Sequence, residues 1–162
     1  MNYNSASVLV FKKVNKEVFF LLGRDNKDKY SDFGGYKENK DMTDKDTAIR
    51  EFNEETMGAF INNTDLNQLL DDNKKFYNKK YKHIVYIINI LIDDNKVNTY
   101  NNISNYLNNV LNVENNDNIP KDYFEKKNIR WFKLSDIVND VDSFKNEFVN
   151  SFVKILDSKK YI

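Results

Sequence analysis

The chain of 162 residues contains no cysteine. That excludes disulfides, zinc–thiolate sites and cysteine nucleophiles, and it is compatible with a reducing compartment. Charge of one sign is also missing: 25 basic residues stand against 25 acidic ones, for a formal net charge of zero. A strongly basic nucleic-acid binder is therefore not indicated and no DNA partner is expected, although a local basic patch remains compatible. Long hydrophobic runs are absent as well. The longest, Ile84 to Ile92, is too short for a bilayer and carries Asn89. The first residues lack the charged start and long apolar run of a signal peptide. The expectation is a cytoplasmic protein with no membrane partner.

Proline occurs once and glycine four times, while asparagine makes up about one residue in six, far above ordinary usage. Lysine, isoleucine, tyrosine and phenylalanine are also common, and all of these residues have A/T-rich codons. Because the asparagines are scattered among periodic apolar positions, the bias reads as an AT-rich genome rather than a prion-like tract. A large DNA virus, a protist or a low-GC bacterium would each supply one. Aromatic residues make up 14% of the chain, which argues against wholesale disorder. The length suits one domain over residues 1–162.

Along the chain, Ser7 to Phe11 and Val18 to Gly23 read as a hairpin without a turn glycine. Arg24 to Ser31 is a charged loop, and the pair Gly34-Gly35 permits close approach of a ligand to backbone. Thr43 or Asp44 caps a helix running to about Met57, with Gly58 as its C-cap and Ala48, Ile49 and Phe52 on its apolar side. Leu66 to Leu70 is short and helical or irregular, and residues 71–82 form a polar, basic segment. His83 to Ile92 is β-branched and reads as a strand. Asp93 to Lys96 reads as a turn, and Ile103, Leu107, Val110 and Leu111 keep helical spacing. Residues 112–122 form a loop holding Pro120. Asn128 to Leu134 is a further strand, Ser135 caps a short turn to Val138, and Phe144, Phe148, Phe152 and Ile155 mark an amphipathic helix. The order β-β-α-β-α-β-α describes one mixed α/β domain.

The chemistry concentrates between Gly34 and Gly58. Glu51, Glu54 and Glu55 fall at i, i+3 and i+4, so a helix places Glu51 beside both others. Such like charges repel by a few tenths of a kcal/mol, roughly, per exposed pair. A hard divalent cation offsets them best, because Mg²⁺ takes carboxylate oxygens and accepts phosphate oxygens. Taken alone, an E-x-x-E-E cluster also describes a solvated helix face, and a lone Gly-Gly a turn. The conjunction of strand, Gly-Gly, acidic residue, capped helix and Ala-Ile-Arg-Glu-Phe-Asn-Glu-Glu is more specific.

That conjunction resembles the Nudix box, G-x5-E-x7-R-E-U-x-E-E-x-G-U with U apolar. Gly35 matches its first glycine and Asp41 stands where its first glutamate is usual. Arg50, Glu51, Phe52, Glu54 and Glu55 match its helical half. The link from Asp41 to Arg50 is one residue longer than usual, and Gly58 comes one residue late. The early strand pair, the stretch from Glu125 through Trp131 to Ile137, and the closing helix extend the resemblance over most of the chain. It implies an α/β/α sandwich with a mixed sheet, and attack of a metal-activated water on a diphosphate linkage with Mg²⁺ or Mn²⁺. It further implies Glu54 and Glu55 as principal metal ligands, Glu51 completing the site, the Gly35 carbonyl as a further ligand, and Arg50 orienting a box carboxylate. The general base in this family is a box glutamate or an acid outside it; Glu125, Asp93 and Asp94 are the outside candidates.

The box supplies chemistry and the surrounding loops supply recognition. The resemblance implies a nucleoside-diphosphate-linked substrate, with capped RNA, and so mRNA decapping in the host cytoplasm, as one candidate if the source is viral. Nucleotide-pool cleansing and cleavage of dinucleoside polyphosphates, nucleotide sugars or diphosphoinositol phosphates are the alternatives, and a non-catalytic nucleotide- or protein-binding module is the rival class. Arg24 and Lys37 are candidate substrate-binding cations, with plain surface charge as the other reading. The lysines between Lys74 and Lys82, interleaved with Phe76, Tyr77 and Tyr81, fit either a solvated loop or a strand-tracking surface. His83, the only histidine, is a weaker catalytic candidate, and Trp131 reads as core.

Overall fold

The computed structural model describes residues 2–72, 74–111, 125–158 and 160. Its organising element is strand β1 (Ser5–Val14). Ala6, Val8 and Val10 point to one face of the sheet, Leu9 and Phe11 to the other, and all are buried. Strand β2 (Glu17–Arg24) follows through the turn Asn15-Lys16, where both residues take positive φ, 48° and 70°. That is the backbone a two-residue hairpin demands, and asparagine tolerates it, so the turn works without glycine.

After β3 (Tyr30–Ser31) and β4 (Phe33–Tyr36) come α1 (Asp44–Thr56), α2 (Asn63–Asp72), β5 (Lys74–Asn78) and β6 (His83–Asn89). Then come α3 (Asp94–Leu111), β7 (Asn128–Lys133), α4 (Leu134–Asn139), a 3-10 turn at Val141–Ser143, and α5 (Asn146–Asp157). The sheet runs β3-β2-β1-β6-β5, with β4 also on β1 and β7 also on β2. Among the described strands β1 pairs with β6 in parallel and the other strand pairs are antiparallel, with one isolated parallel bridge between Tyr30 and Phe144. One core lies between the sheet and α1, α2 and α3, built on Phe33, Phe52, Leu66 and Tyr100. The other lies under α4 and α5, built on Phe20, Phe132, Ile137, Phe148 and Phe152. The expected α/β/α sandwich with a mixed sheet is therefore the observed architecture.

Several boundaries differ from the sequence reading. Residues 74–78, expected within a polar segment, form β5, because Phe76 and Tyr77 reach cover while Lys74 and Lys75 stay exposed at an edge. Asp93 does not open a turn but starts α3: its carboxylate accepts from Asn95 N at 2.9 Å. Turn formers and helix caps are the same residue types. Ser135 lies inside α4, whose entry is set by Asp136 accepting from Lys133 N at 3.1 Å. Met57, with φ 53°, is the left-handed cap of α1, and Gly58 follows it. The predicted loop 112–122 and Pro120 lie outside the described residues.

Candidate functional site

Helix α1 is pinned at its start by a capping box. Thr43 Oγ1 accepts from Asp46 N at 3.1 Å, and Asp46 accepts from Thr43 N at 2.8 Å. Ala48 and Phe52 lie fully buried against the sheet, which fixes the rotation of the helix. Glu51 lies against Gly35, and Glu55 reaches Gly34 N and Lys126 in the chain before β7. Arg50 joins Glu51 to Glu54. Its Nη1 stands 2.9 Å from Glu51 Oε1 and 2.9 Å from Glu54 Oε2. Its Nη2 donates to the Tyr36 carbonyl and to Asp41 Oδ2, both at 2.9 Å. The arginine thus reaches both glutamates, although one of them is its immediate neighbour in sequence.

Asp41 is buried, and it also accepts from Glu38 N at 2.9 Å and Thr47 Oγ1 at 3.0 Å. Burial works against its charge, but the Arg50 hydrogen bonds and these two donors prevail and hold its pKa at about 2. Asp41 serves as the anchor of Arg50.

Glu55 is 1% exposed. Its Oε2 accepts from Gly34 N at 2.8 Å and its Oε1 lies 3.2 Å from Lys126 Nζ. A Cβ on Gly35 would lie 2.5 Å from Glu51 Oε1, so only glycine lets the carboxylate rest on that backbone. Burial pushes Glu51 up to about 7, with Arg50 offsetting part of the effect and the charges of Glu54 and Glu125 adding to it. Burial also raises Glu55, with Lys126 opposing and Glu125 and Glu51 reinforcing. Glu125 is exposed, and through these effects it bears on both glutamates.

The donors are hard oxygens of three carboxylates and a backbone strand, the chemistry that Mg²⁺ or Mn²⁺ takes. Glu51 as a ligand fits the cradle that Gly35 leaves open. Among the described residues, however, no three acidic or histidine side chains already converge as metal ligands. Arg50 and Lys126 hold the carboxylates that an ion would have to share.

Beyond the Gly34-Gly35 backbone lies a cavity of 240 Å³ lined by Ser5, Asp32, Tyr36, Tyr81, His83 and Lys145, among others. His83 is wedged between two serines, Nδ1 at 2.7 Å from Ser5 Oγ and Nε2 at 2.9 Å from Ser7 Oγ. Ser7 donates its proton to Asp32 at 2.6 Å. Its oxygen therefore accepts from His83 Nε2–H, the reverse of what a nucleophilic serine needs. Burial holds the His83 pKa below its ordinary value. A larger cavity, 690 Å³, lies between Lys12, Asp94 and Trp131, and none of the box acids lines either cavity.

The other predicted residues are placed as follows. Asp94 pairs with Lys12 at 3.0 Å and Asp93 caps α3, which ties both to the start of that helix. Arg24 ends β2, with Nη1 at 3.6 Å from Asp28 and its buried Nε without a partner. Lys37 Nζ sits 5.0 Å above the Tyr3 ring. Lys75 pairs with Asp44 at 2.8 Å, and Trp131 packs against the α1-side core under Lys12. Sequence reasoning missed Lys126, Asp32 and the two serines. No local pattern marks them, because each is brought in by tertiary pairing.

No family model matches the chain, and no curated protein matches it by sequence. Solved structures do. Over 98% of its length, at 18% identity and a TM-score of 0.56, it is similar to a bifunctional NMN adenylyltransferase/ADP ribose pyrophosphatase from Francisella tularensis complexed with AMP and a Mn ion. It spans 42% of that chain. Over 99% of its length, at 10% identity and a TM-score of 0.50, it is similar to the Nudix domain of Shewanella oneidensis NrtR complexed with ADP ribose, covering 88% of that chain. An Ap4A hydrolase from C. elegans aligns over 96% of the chain at 14% identity and a TM-score of 0.49, with 99% of its own length covered. At such identities the likeness is one of fold, and the chain has a divergent Nudix-type fold.

Proposed function

We propose that this chain is a metal-dependent hydrolase that cleaves the diphosphate linkage of a nucleoside-diphosphate-linked substrate. The observation that carries the reading is the carboxylate cluster on one helix: Glu51 and Glu54 joined by Arg50, with Glu51 against Gly35 and Glu55 on Gly34 N. Glu51 and Glu54, with the Gly35 carbonyl, would hold Mg²⁺ or Mn²⁺, and Glu55 closes the cluster. When bound, such an ion neutralises phosphate charge and lowers the pKa of a coordinated water. Arg50, anchored by Asp41, keeps Glu51 and Glu54 facing the same point. Glu125 stands exposed beside the cluster and takes the proton of the attacking water. The cavity behind Gly34-Gly35 takes the nucleoside, with Tyr36 and Tyr81 offering aromatic faces and Lys145 a cation. Arg24 and Lys37 are candidate phosphate contacts.

AMP and ADP ribose in the two neighbours favour a small adenosine nucleotide over capped RNA. A product screen over ADP-ribose, dinucleoside polyphosphates, nucleotide sugars, nucleoside triphosphates and capped RNA tests this. Release of AMP from ADP-ribose would select the favoured class, and 7-methyl-GDP would select decapping. Glu54→Gln should lower turnover at least 100-fold with the fold intact; undiminished turnover would refute the clamp. The second reading, a non-catalytic nucleotide-binding module, is favoured by the fact that Arg50 and Lys126 already engage all three glutamates. Nucleotide binding without turnover of any substrate in the screen would select it.

A further inference from the structure

Lys126 is 1% exposed, yet its ammonium lacks nothing. Nζ lies 3.2 Å from Glu55 Oε1, 2.7 Å from Ser31 Oγ and 3.2 Å from the Asp32 carbonyl, three acceptors for three protons. Its stem is fitted too: a Cβ on Gly23 would fall 2.6 Å from Lys126 Cδ and 2.8 Å from Cγ. Its backbone is tied down by Tyr100, whose hydroxyl stands 2.8 Å from the Glu55 carbonyl and 3.0 Å from the Lys126 carbonyl. Head, stem and backbone are therefore each held by a different element, β3, β2 and α3. Such a lysine does not swing aside as a surface lysine does. Glu55, for its part, divides its oxygens between Lys126 and Gly34 N, and neither faces an open position.

We propose that Lys126 is the resident cation of Glu55: it fills the inner end of the acid cluster, so that a divalent ion is confined to Glu51, Glu54 and the Gly35 carbonyl. Glu55 then acts as a positioning residue, joining Lys126 to the Gly34-Gly35 strand, rather than as a metal ligand. This deepens the hydrolase reading above and rests on it only for the presence of a metal. It also separates a fully buried ion pair, costly to break from one side, from the two partly covered carboxylates that share Arg50.

Mn²⁺ binding to the full chain, followed by electron paramagnetic resonance and calorimetry, tests it without any turnover. Lys126→Met should bind one more Mn²⁺ per chain than the unaltered protein. Should Lys126→Met fail to fold, Glu55→Gln, which keeps one acceptor oxygen and turns the other into an amide donor, gives the second reading. It should leave Mn²⁺ affinity within about threefold, whereas Glu54→Gln should weaken it at least tenfold. No extra ion in Lys126→Met, or a tenfold loss in Glu55→Gln, overturns the proposal. A failed product screen together with the extra ion in Lys126→Met would sink the hydrolase reading and leave this one standing.

Discussion

Asp41 and Arg50 carry more of the site's order than either does alone. The aspartate is buried and paired, so its carboxylate is held near pKa 2 while an unfolded aspartate titrates near 3.8. A depressed acid stabilises the fold above the unfolded pKa and loses that contribution as pH falls through the folded one. Asp41→Asn is therefore expected to cost about 2 kcal/mol at pH 7, with the gap to the unaltered protein closing between about pH 4 and pH 2. Urea unfolding across that range measures it. Gly35→Ala acts differently. Its methyl would meet only the end of the Glu51 side chain, so stability should change little while the carboxylate is displaced. A fall in turnover of tenfold or more with an unchanged melting temperature is expected. At this scale the three glutamates were legible, because helical spacing alone puts them together. Lys126 was not, since it reaches Glu55 from a separate strand approach. The role of Asp41 was hidden by the lengthened link, which gave no hint that the side chain turns inward to Arg50.

Among the elements, α1 was the most legible, since cap and apolar stripe agree and the end signal, Gly58, lies one residue past the actual cap, Met57. Thr43→Ala removes one half of its capping box and is expected to cost about 1 kcal/mol in thermal or chemical unfolding. β5 was the least legible. A five-residue edge strand with two lysines first has too few covered positions to show a period of two, and its partner β6 supplies the order. The start of α3 was lost for another reason: Asp-Asp-Asn serves turns and helix starts alike, and only the apolar Val97 and Tyr100, buried against the sheet, decide between them.

For the molecule as a whole, the two cores should be of comparable importance. Phe52 and Phe152 are both essentially inaccessible, one on each side of the sheet. Phe52→Ala and Phe152→Ala are each expected to lose about 3–5 kcal/mol in equilibrium unfolding. A divalent ion that binds only the folded chain should add to stability by mass action. At 100 times its Kd the gain is about 2.7 kcal/mol, seen as a raised melting temperature that EDTA reverses. The apolar run Ser7 to Phe11 marked a hairpin strand, but the partner on its far side could not be read, because strand order is a property of long-range pairing.

That far side has a consequence during synthesis. Ser5 meets His83 across the parallel β1–β6 pair, 78 residues later in the chain. At about 5–20 residues per second a ribosome needs about 4–16 s to deliver that partner. Through this interval β1 can pair with β2 and β4 on one side only. The strand is thus clothed on one side only until β6 emerges, and during those seconds a ribbon of Val, Leu and Phe depends on whatever shelters a nascent chain.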